Sequence, residues 1–225
     1  METTNQKLVY FVRHGQTTSN ITKTTQEPNS SLSEEGVRQA GILAERAQKL
    51  NFDLIISSDY ERARITAEHI HRATNKPLGL SELFREYRRP SEFWGKSIGE
   101  LGADNMVAEG FSQIETNIEN KEWHYSDEEN FYDLKERAVQ AIRYIEQIEH
   151  SRLLVVTHGN FLRTLLGVML RGERYSPDDY KDIESTFELF NTSISVAEYT
   201  SHWRYPEGTW KISAWNDQAH LGELT

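Results

Sequence analysis

The chain has 225 residues, a length typical of one domain with room for an insertion. Its formal net charge is −10, which argues against nucleic acid and anionic membrane surfaces as partners. The absence of cysteine excludes disulfides and thiolate catalysis. No apolar run approaches the roughly 18 residues of a membrane helix, so we expect a cytoplasmic protein without a membrane span.

Short apolar runs alternate with helical patterns in the first part of the chain. The run at residues 8–12 predicts a buried strand. Ser33 fits a helix N-cap, with acidic residues in the first turn and apolar residues at helical spacing up to residue 50. DLIIS at 53–57 predicts a second strand, and residues 60–74 follow as a helix with one apolar face.

The middle of the chain lacks a clear period. Residues from about 86 to 125 contain tryptophans, glycines and many charges, a composition that predicts neither a regular helix nor a strand. Long stretches of this kind are usually functional lids or insertions, so we predict an insertion at about 86–130. Ser126 and Glu129 fit a capping box for a helix whose apolar face runs over residues 131–148.

The last part of the chain continues both patterns. We predict a strand at 153–157, a helix at 161–170, and a further helix that starts at Ser176 with proline in its first position. Residues 193–199 and 209–215 alternate between apolar and polar and flank YPEG, which indicates two strands of a hairpin.

Strands alternate with helices through most of the chain, a pattern typical of a parallel sheet covered by helices. We therefore predict an α/β fold, a three-layer sandwich with a mainly parallel central sheet and helices on both faces. The insertion at 86–130 would lie over the functional site. All of this is expected to form one domain spanning residues 1–225.

Two of the predicted strands end in the same dipeptide. LVYFVRHG at 8–15 and LLVVTHG at 153–159 are both apolar runs that stop at His-Gly. In open α/β sheets, ligands bind at the carboxyl ends of the strands. If the two strands are neighbours, His14 and His158 face each other across the crevice. The glycines that follow would let the backbone approach a ligand closely.

Metal binding is the first alternative for these histidines. A metal site needs three or four ligands, and the chain has no matching HxH or HExxH set. His69 and His71 are two apart on a predicted helix, so they point in different directions. We therefore predict no metal and no cofactor, and we interpret His69, His71, His150 and His202 as ordinary structural or surface residues.

Arginines supply a second indication of what the strand ends bind. Arg13 precedes His14, and Arg62 and Arg64 open the helix after the strand at 53–57. Arginine matches phosphate with two parallel hydrogen bonds, which lysine cannot do. Arginines and imidazoles that converge on one point make an oxyanion site. Arg64 is interpreted as a surface residue.

Four segments then resemble a known family in its own order. They are RHGQTTSN at 13–20, SSDYERARITA at 57–67, ELFREYR at 82–88 and VVTHGNFLRTLL at 155–166. Together they are similar to the motifs of the histidine phosphatase superfamily, the phosphoglycerate-mutase-like proteins. The resemblance covers residues 8 to about 170.

The resemblance implies a role for each matched position. His14 matches the nucleophile that becomes phosphohistidine, His158 matches a second catalytic histidine, and Glu86 matches the proton donor, with Glu82 as a nearby rival. The residues that would surround the phosphate are Arg13, Thr17, Asn20, Arg62 and His158.

The chemistry of phosphoryl transfer fits these assignments. It mainly needs positioning and stabilisation of charge on the equatorial oxygens, which Arg13, Arg62 and a protonated His158 could supply without a metal. The nucleophile must be a neutral imidazole, and neighbouring cations lower the pKa of His14. A hydrogen bond from its other ring nitrogen, for which a backbone carbonyl is the obvious acceptor, would set the tautomer.

The expected activity is hydrolysis of a small-molecule phosphate monoester. A phosphoglycerate-mutase-type phosphotransferase and a non-catalytic phospho-ligand-binding protein remain alternatives. The family often carries Gly-x-Trp-Glu-Gly after the acid, whereas this chain reads RRPSEFWGKSIGE, which leaves the substrate open. Five residues of the insertion could contact a substrate but are left off the site as solvated charges or packed aromatics: Arg88, Arg89, Trp94, Lys96 and Trp123.

Overall fold

The structure, a computed structural model, describes residues 6–97 and 105–222. A six-stranded sheet runs through the molecule in the order β3-β2-β4-β1-β5-β6. The strands are β1 (Lys7–Arg13), β2 (Leu54–Ser57), β3 (Leu78–Leu80), β4 (Arg152–Thr157), β5 (Ile194–His202) and β6 (Tyr205–Asp217). The helices are α1 (Thr18–Thr22), α2 (Glu34–Ala47), α3 (Glu61–Thr74), α4 (Asn105–Thr116), α5 (Phe131–Gln147), α6 (Gly159–Arg171) and α7 (Pro177–Thr186).

The sheet is mainly parallel. β3, β2, β4 and β1 pair in parallel, whereas β5 pairs antiparallel with β1 and β6 pairs antiparallel with β5. The predicted α/β class and the late hairpin are therefore confirmed.

Alternate residues of the strands enter two separate cores. Phe11 and Val155 pack with apolar residues of α5, α6 and α7, whereas Val12 and Val156 pack with those of α2 and α3. Because successive side chains of a strand point to opposite faces, helices cover the sheet on both sides. This confirms the predicted three-layer sandwich.

Helix starts follow local side-chain chemistry. The Ser33 hydroxyl accepts the N–H of Gly36 at 3.0 Å, and Ser176 caps α7 as predicted. The predicted capping box of Ser126 and Glu129 is wrong, because Asn130 caps α5 instead. Asn130 offers a side-chain oxygen to two amides at once, and its own N–H is accepted by the first-turn carboxylate three residues later.

Three of the described helices and strands have no counterpart in the prediction: α1, β3 and α4. α1 and β3 span only five and three residues, too few to show a period. α4 spans twelve residues inside the stretch that we interpreted as having no helical or strand period. Residues 98–104 of the predicted insertion lie outside the described residues. Among the helices that the structure describes, none is long and apolar enough to cross a membrane.

Candidate active site

The two His-Gly dipeptides lie side by side at one edge of the sheet. β1 and β4 are neighbours, with Arg13 opposite Thr157, and the N–H of His14 donates to the Thr157 carbonyl at 3.0 Å. The rings of His14 and His158 follow in register, with their centroids 5.1 Å apart. Both residues are buried, at 2% and 0% exposure. The hypothesis that the two strands are neighbours is confirmed.

His14 is held as a neutral ring with one nitrogen free to react. Its Nδ1 lies 2.7 Å from the carbonyl oxygen of Gly15. A carbonyl can only accept, so Nδ1 carries the proton and Nε2 keeps its lone pair. Burial, followed by the charges of Arg62 and Arg13, lowers the pKa of His14 well below its ordinary value.

His158 also favours the neutral form. Its Nε2 lies 2.8 Å from the hydroxyl of Ser58, and its Nδ1 has no partner among the described residues. Burial, followed by the charge of Arg62, lowers the pKa of His158 well below its ordinary value. Burial and the arginine charge therefore oppose the protonated His158 that we expected from the sequence.

Two arginines place positive charge and unused donors beside these rings. Arg62 is buried at 1% exposure and donates from Nη1 to the Glu27 carbonyl at 2.9 Å. Arg13 donates from Nη1 to the Leu189 carbonyl. In the described part of the chain, the Nε of each arginine has no hydrogen-bond partner. Burial lowers the pKa of both guanidinium groups to about 10, so both remain charged at neutral pH.

Glu86 is anchored at the start of α6, directly after His158. Its Oε1 accepts the N–H of Tyr87 and of Phe161, each at 2.9 Å, and its Oε2 accepts the N–H of Asn160 at 3.3 Å. The first amides of a helix have no partners within it, and here the carboxyl oxygens of Glu86 accept two of them. The carboxyl group is therefore held in place by the same helix that follows the second histidine.

A cavity of about 490 Å³ opens beside Arg13, Arg62 and Glu86. Arg89 and Arg163 also line it, so that four arginines line this cavity. Glu82 does not line this cavity in the described structure. It lines a second cavity of about 360 Å³, is 75% exposed and pairs with Arg85 at 3.0 Å. The placement therefore favours Glu86 over Glu82 as the acid.

Comparison with known proteins agrees with this geometry. A family model of the histidine phosphatase superfamily, branch 1, matches residues 9–218. The chain belongs to the histidine phosphatase superfamily. A probable phosphoglycerate mutase from Proteus mirabilis is 30% identical over 231 residues, covering 96% of this chain and 95% of that protein. The family assigned from the sequence motifs is thus confirmed.

Solved structures of named phosphatases share the fold. A mycobacterial glucosyl-3-phosphoglycerate phosphatase superposes with a TM-score of 0.74 at 22% identity, covering 94% of this chain and 100% of that one. A phosphoserine phosphatase from Entamoeba histolytica, solved with 3-phosphoglyceric acid, gives a TM-score of 0.72 at 23% identity, covering 96% and 99%. The three-layer architecture is therefore that of known histidine phosphatases.

Thr17 and Asn20 hydrogen-bond to each other in this histidine phosphatase. The Thr17 N–H donates to Asn20 Oδ1 at 3.0 Å, and the Asn20 N–H donates to Thr17 Oγ1 at 3.2 Å, which starts α1. Asn191 Nδ2 donates to the carbonyl of His14 at 2.9 Å and to Asn20 Oδ1 at 3.3 Å. Among the described residues that line the cavity, Thr17 and Asn20 do not occur, nor do His14 and His158. Their contact with phosphate stays a prediction.

Gly15 has a packing role that the sequence did not indicate. A Cβ on Gly15 would lie 2.6 Å from the carbonyl oxygen of Gly36, and a Cβ on Gly36 would lie 1.9 Å from that of Gln16. The loop after His14 and the first turn of α2 thus cross with no room for a side chain. Gly15 is therefore needed for this crossing.

Sequence reasoning left several residues that contact or line the site off its list, among them Ser58, Arg89, Arg163 and Asn191. Ser58 and Arg163 lie inside the quoted motifs, where a hydroxyl after a strand and an arginine five residues after His158 were available signals. Arg89 was considered and left aside as a solvated charge. Asn191 lies in a loop far along the chain, and no local pattern points to it.

Proposed function

We propose that this protein is a metal-independent phosphomonoesterase that acts on a small molecule through a phosphohistidine on His14. The observation that carries the proposal is the 2.7 Å contact between His14 Nδ1 and the Gly15 carbonyl, because it leaves Nε2 unprotonated beside Arg13 and Arg62. A buried neutral imidazole close to two charged guanidinium groups suits attack on a phosphate.

The first half-reaction transfers the phosphoryl group to the enzyme. Arg13 and Arg62 bind the phosphate oxygens and stabilise their charge as Nε2 of His14 attacks phosphorus. The P–N bond forms, the P–O bond to the alcohol breaks, and Glu86 gives its proton to the leaving oxygen. Water then attacks phosphorus while Glu86 takes up its proton, which returns His14 and releases inorganic phosphate.

His158 assists in its protonated form, which the bound substrate promotes. Burial and the charge of Arg62 favour the neutral ring in the protein alone. A bound phosphate dianion adds opposite charge at short range, which favours the protonated ring. His158 then donates a hydrogen bond to a phosphate oxygen, with Ser58 holding its Nε2.

The arginines replace a metal ion in this mechanism. Among the described residues, no group of three His, Asp or Glu side chains could hold a metal ion. A mutase-type phosphotransferase is the second candidate, favoured by the relative from Proteus mirabilis that is named a probable phosphoglycerate mutase. A non-catalytic phospho-ligand-binding protein is the third.

One assay separates these functions. The purified protein is incubated in EDTA with a panel of phosphomonoesters, and both phosphate release and interconversion of 2- and 3-phosphoglycerate are measured. We expect release in EDTA and a phosphohistidine trapped by alkaline quench. His14→Ala should lose at least about a thousandfold in kcat, the scale seen when a nucleophile is removed. His150→Ala, at an exposed histidine, should match the wild type.

Two results would overturn this mechanism. Activity that vanishes in EDTA and returns with Mg²⁺ or Zn²⁺ would require a metal. A His14→Ala variant with a tenth of the wild-type kcat would remove His14 as nucleophile. Interconversion that exceeds phosphate release would select the mutase, and phosphate-ester binding without either reaction would select the binding protein.

A further inference from the structure

We propose that Arg89 forms a second anion subsite beside the phosphate pocket, so that the substrate is a small phosphomonoester with a second anionic group. That group is a carboxylate or a second phosphate. The inference rests on the proposed function, whose phosphate pocket it extends.

Arg89 presents an oriented guanidinium group with unused donors. Its guanidinium carbon lies 4.2 Å from the centroid of the Tyr87 ring and 5.0 Å from that of Phe111. Stacking between two rings orients the plane of the group and leaves its N–H edge open. Within the described residues, no hydrogen bond or ion pair to this side chain is formed. All three residues line the cavity that Arg13 and Arg62 also line.

The other arginines of this cavity are already engaged. Arg163 donates from Nε to the Phe187 carbonyl at 2.6 Å and from Nη1 to Asn160 Oδ1 at 3.3 Å. The proposed mechanism uses Arg13 and Arg62 for the phosphate. Arg89 is therefore the lining arginine best able to bind a further anion.

The charge balance of the cavity favours binding of a further anion. The two charges of a phosphomonoester dianion match those of Arg13 and Arg62. Among the lining residues, Arg89 and Arg163 add two positive charges against at most one negative charge from Glu86, and Glu184 adds a further negative charge that acts on Arg89. With Glu86 protonated, as the proposed acid must be, one positive charge remains unmatched even when Glu184 is counted. An uncharged substrate would leave the N–H groups of Arg89 partly desolvated without a hydrogen-bond acceptor among the described residues, which is unfavourable.

Chain connectivity indicates where the second anion lies on the substrate. Arg89 follows Glu86 by three residues, and both side chains reach the same cavity. Glu86 is proposed to protonate the leaving oxygen, so the anion belongs to the alcohol part of the ester. A cavity of about 490 Å³ lies within the usual range for small-molecule sites.

Matched pairs of substrates test the subsite. 3-Phosphoglycerate is compared with glycerol 3-phosphate, which has a hydroxymethyl group in place of the carboxylate. Propane-1,3-diol bisphosphate is compared with the monophosphate. We expect the wild type to prefer the anionic member of at least one pair by about 10- to 100-fold in kcat/KM, the range for a hydrogen bond to a charged group. The pair that shows the preference identifies the anion.

Substitutions then assign that preference to Arg89. Arg89→Gln should reduce the kcat/KM ratio of the preferred pair to within about threefold of one, and Arg89→Lys should leave an intermediate ratio. Arg88→Gln is the matched control, because Arg88 is exposed and lines only the second cavity among those described. It should keep the wild-type ratio.

The failures are distinguishable. A wild type that hydrolyses both members of each pair equally, or an Arg89→Gln variant with the wild-type ratio, overturns the subsite alone. A wild type that releases no phosphate from any ester, p-nitrophenyl phosphate included, overturns the proposed function and the subsite with it. If Arg89→Gln does not fold, the kcat/KM ratios of the wild type and of Arg89→Lys test the subsite.

Discussion

Arg137 and Glu129 form a bidentate ion pair next to the segment that carries Glu86. Arg137 Nε lies 2.6 Å from Oε1 of Glu129, and Nη2 lies 2.7 Å from Oε2. The same guanidinium donates to the carbonyls of Leu83, Arg85 and Glu86 at 3.1, 2.7 and 3.3 Å. The side chains of the pair are only 16% and 14% exposed. One residue of α5 thus holds the backbone that carries Glu86.

Arg137→Lys should therefore weaken proton donation. A lysine has one nitrogen and three donors, so it cannot keep both the carboxylate and the three carbonyls. We expect kcat on an alkyl phosphate to fall about 10- to 100-fold, because misplacement by about 1 Å costs on that order. The loss on p-nitrophenyl phosphate should be smaller, because p-nitrophenolate hardly needs a proton.

Arg143→Lys is the control for this variant, since Arg143 is an exposed residue of the same helix. Steady-state rates on both substrates and thermal unfolding check the prediction. Equal losses on the two substrates would make Arg137 a purely structural residue.

Glu86→Gln should show the same dependence on the leaving group more strongly. Glutamine keeps one acceptor oxygen for the α6 amides but has no proton to transfer. We expect a loss of about 10²- to 10⁴-fold on an alkyl phosphate, the usual range for a positioned acid. Single-turnover rates on p-nitrophenyl phosphate should fall far less, provided that phosphorylation of His14 limits both reactions.

Glu82→Gln is the control for the acid, because Glu82 lies one turn earlier and is largely exposed. It should leave both substrates near the wild-type rate. A leaving-group-dependent loss in Glu82→Gln, absent from Glu86→Gln, would move the assignment to Glu82.

Stability should fall as the pH drops below 6.5, partly because of His14 and His158. Burial above all, with nearby cations, lowers the pKa of both residues well below 6.5 in the folded chain. At pH values between the pKa in the folded chain and 6.5, the unfolded chain binds more protons than the folded chain. The stabilisation from the two neutral histidines is therefore complete above pH 6.5 and is lost as the pH falls below it. Each histidine adds at most about 1.4 kcal/mol per pH unit to the slope.

Urea unfolding at pH 7.5, 6.5 and 5.5 measures this slope. His158→Gln should flatten it relative to the wild type, whereas His150→Gln, at an exposed histidine, should not. Parallel slopes for the wild type and His158→Gln would contradict the neutral, buried state of His158.

Gly36→Ala should destabilise the protein and disturb the site. The new methyl group would meet backbone atoms of Gln16 in the loop after His14, and overpacking of this kind typically costs about 1–3 kcal/mol. Gly41→Ala is a matched control on α2, where a Cβ has nothing within 4 Å. It should be neutral or stabilise by up to about 1 kcal/mol. Urea unfolding with kcat as a second readout tests both, and a Gly36→Ala variant as stable as the wild type would refute the close crossing.

Much of the site could be predicted because its signals are local. The apolar runs before His14 and His158 end at strand termini, and β-strand patterns are short-range properties of the chain. Arg62 begins α3 after β2, so its position too follows from alternation of strand and helix. The motifs that surround these residues identified the superfamily, which the family match then confirmed.

Other features depend on contacts between distant segments, which no local pattern encodes. The adjacency of β1 and β4 sets the 5.1 Å separation of the two imidazoles, and the amides of α6 hold Glu86. The neutral state of His158 follows from how completely the fold buries it beside Arg62.

The sequence by itself determined the superfamily and the α/β class, and it supplied the candidates for the nucleophile, the phosphate-binding arginines and the acid. Only the tertiary structure decided the tautomer of His14, the need for glycine at position 15 and the placement of the Arg89 guanidinium in the cavity. The physical reason is that tautomer, burial and partner count are properties of the space around a side chain. That space is filled by residues from remote parts of the chain.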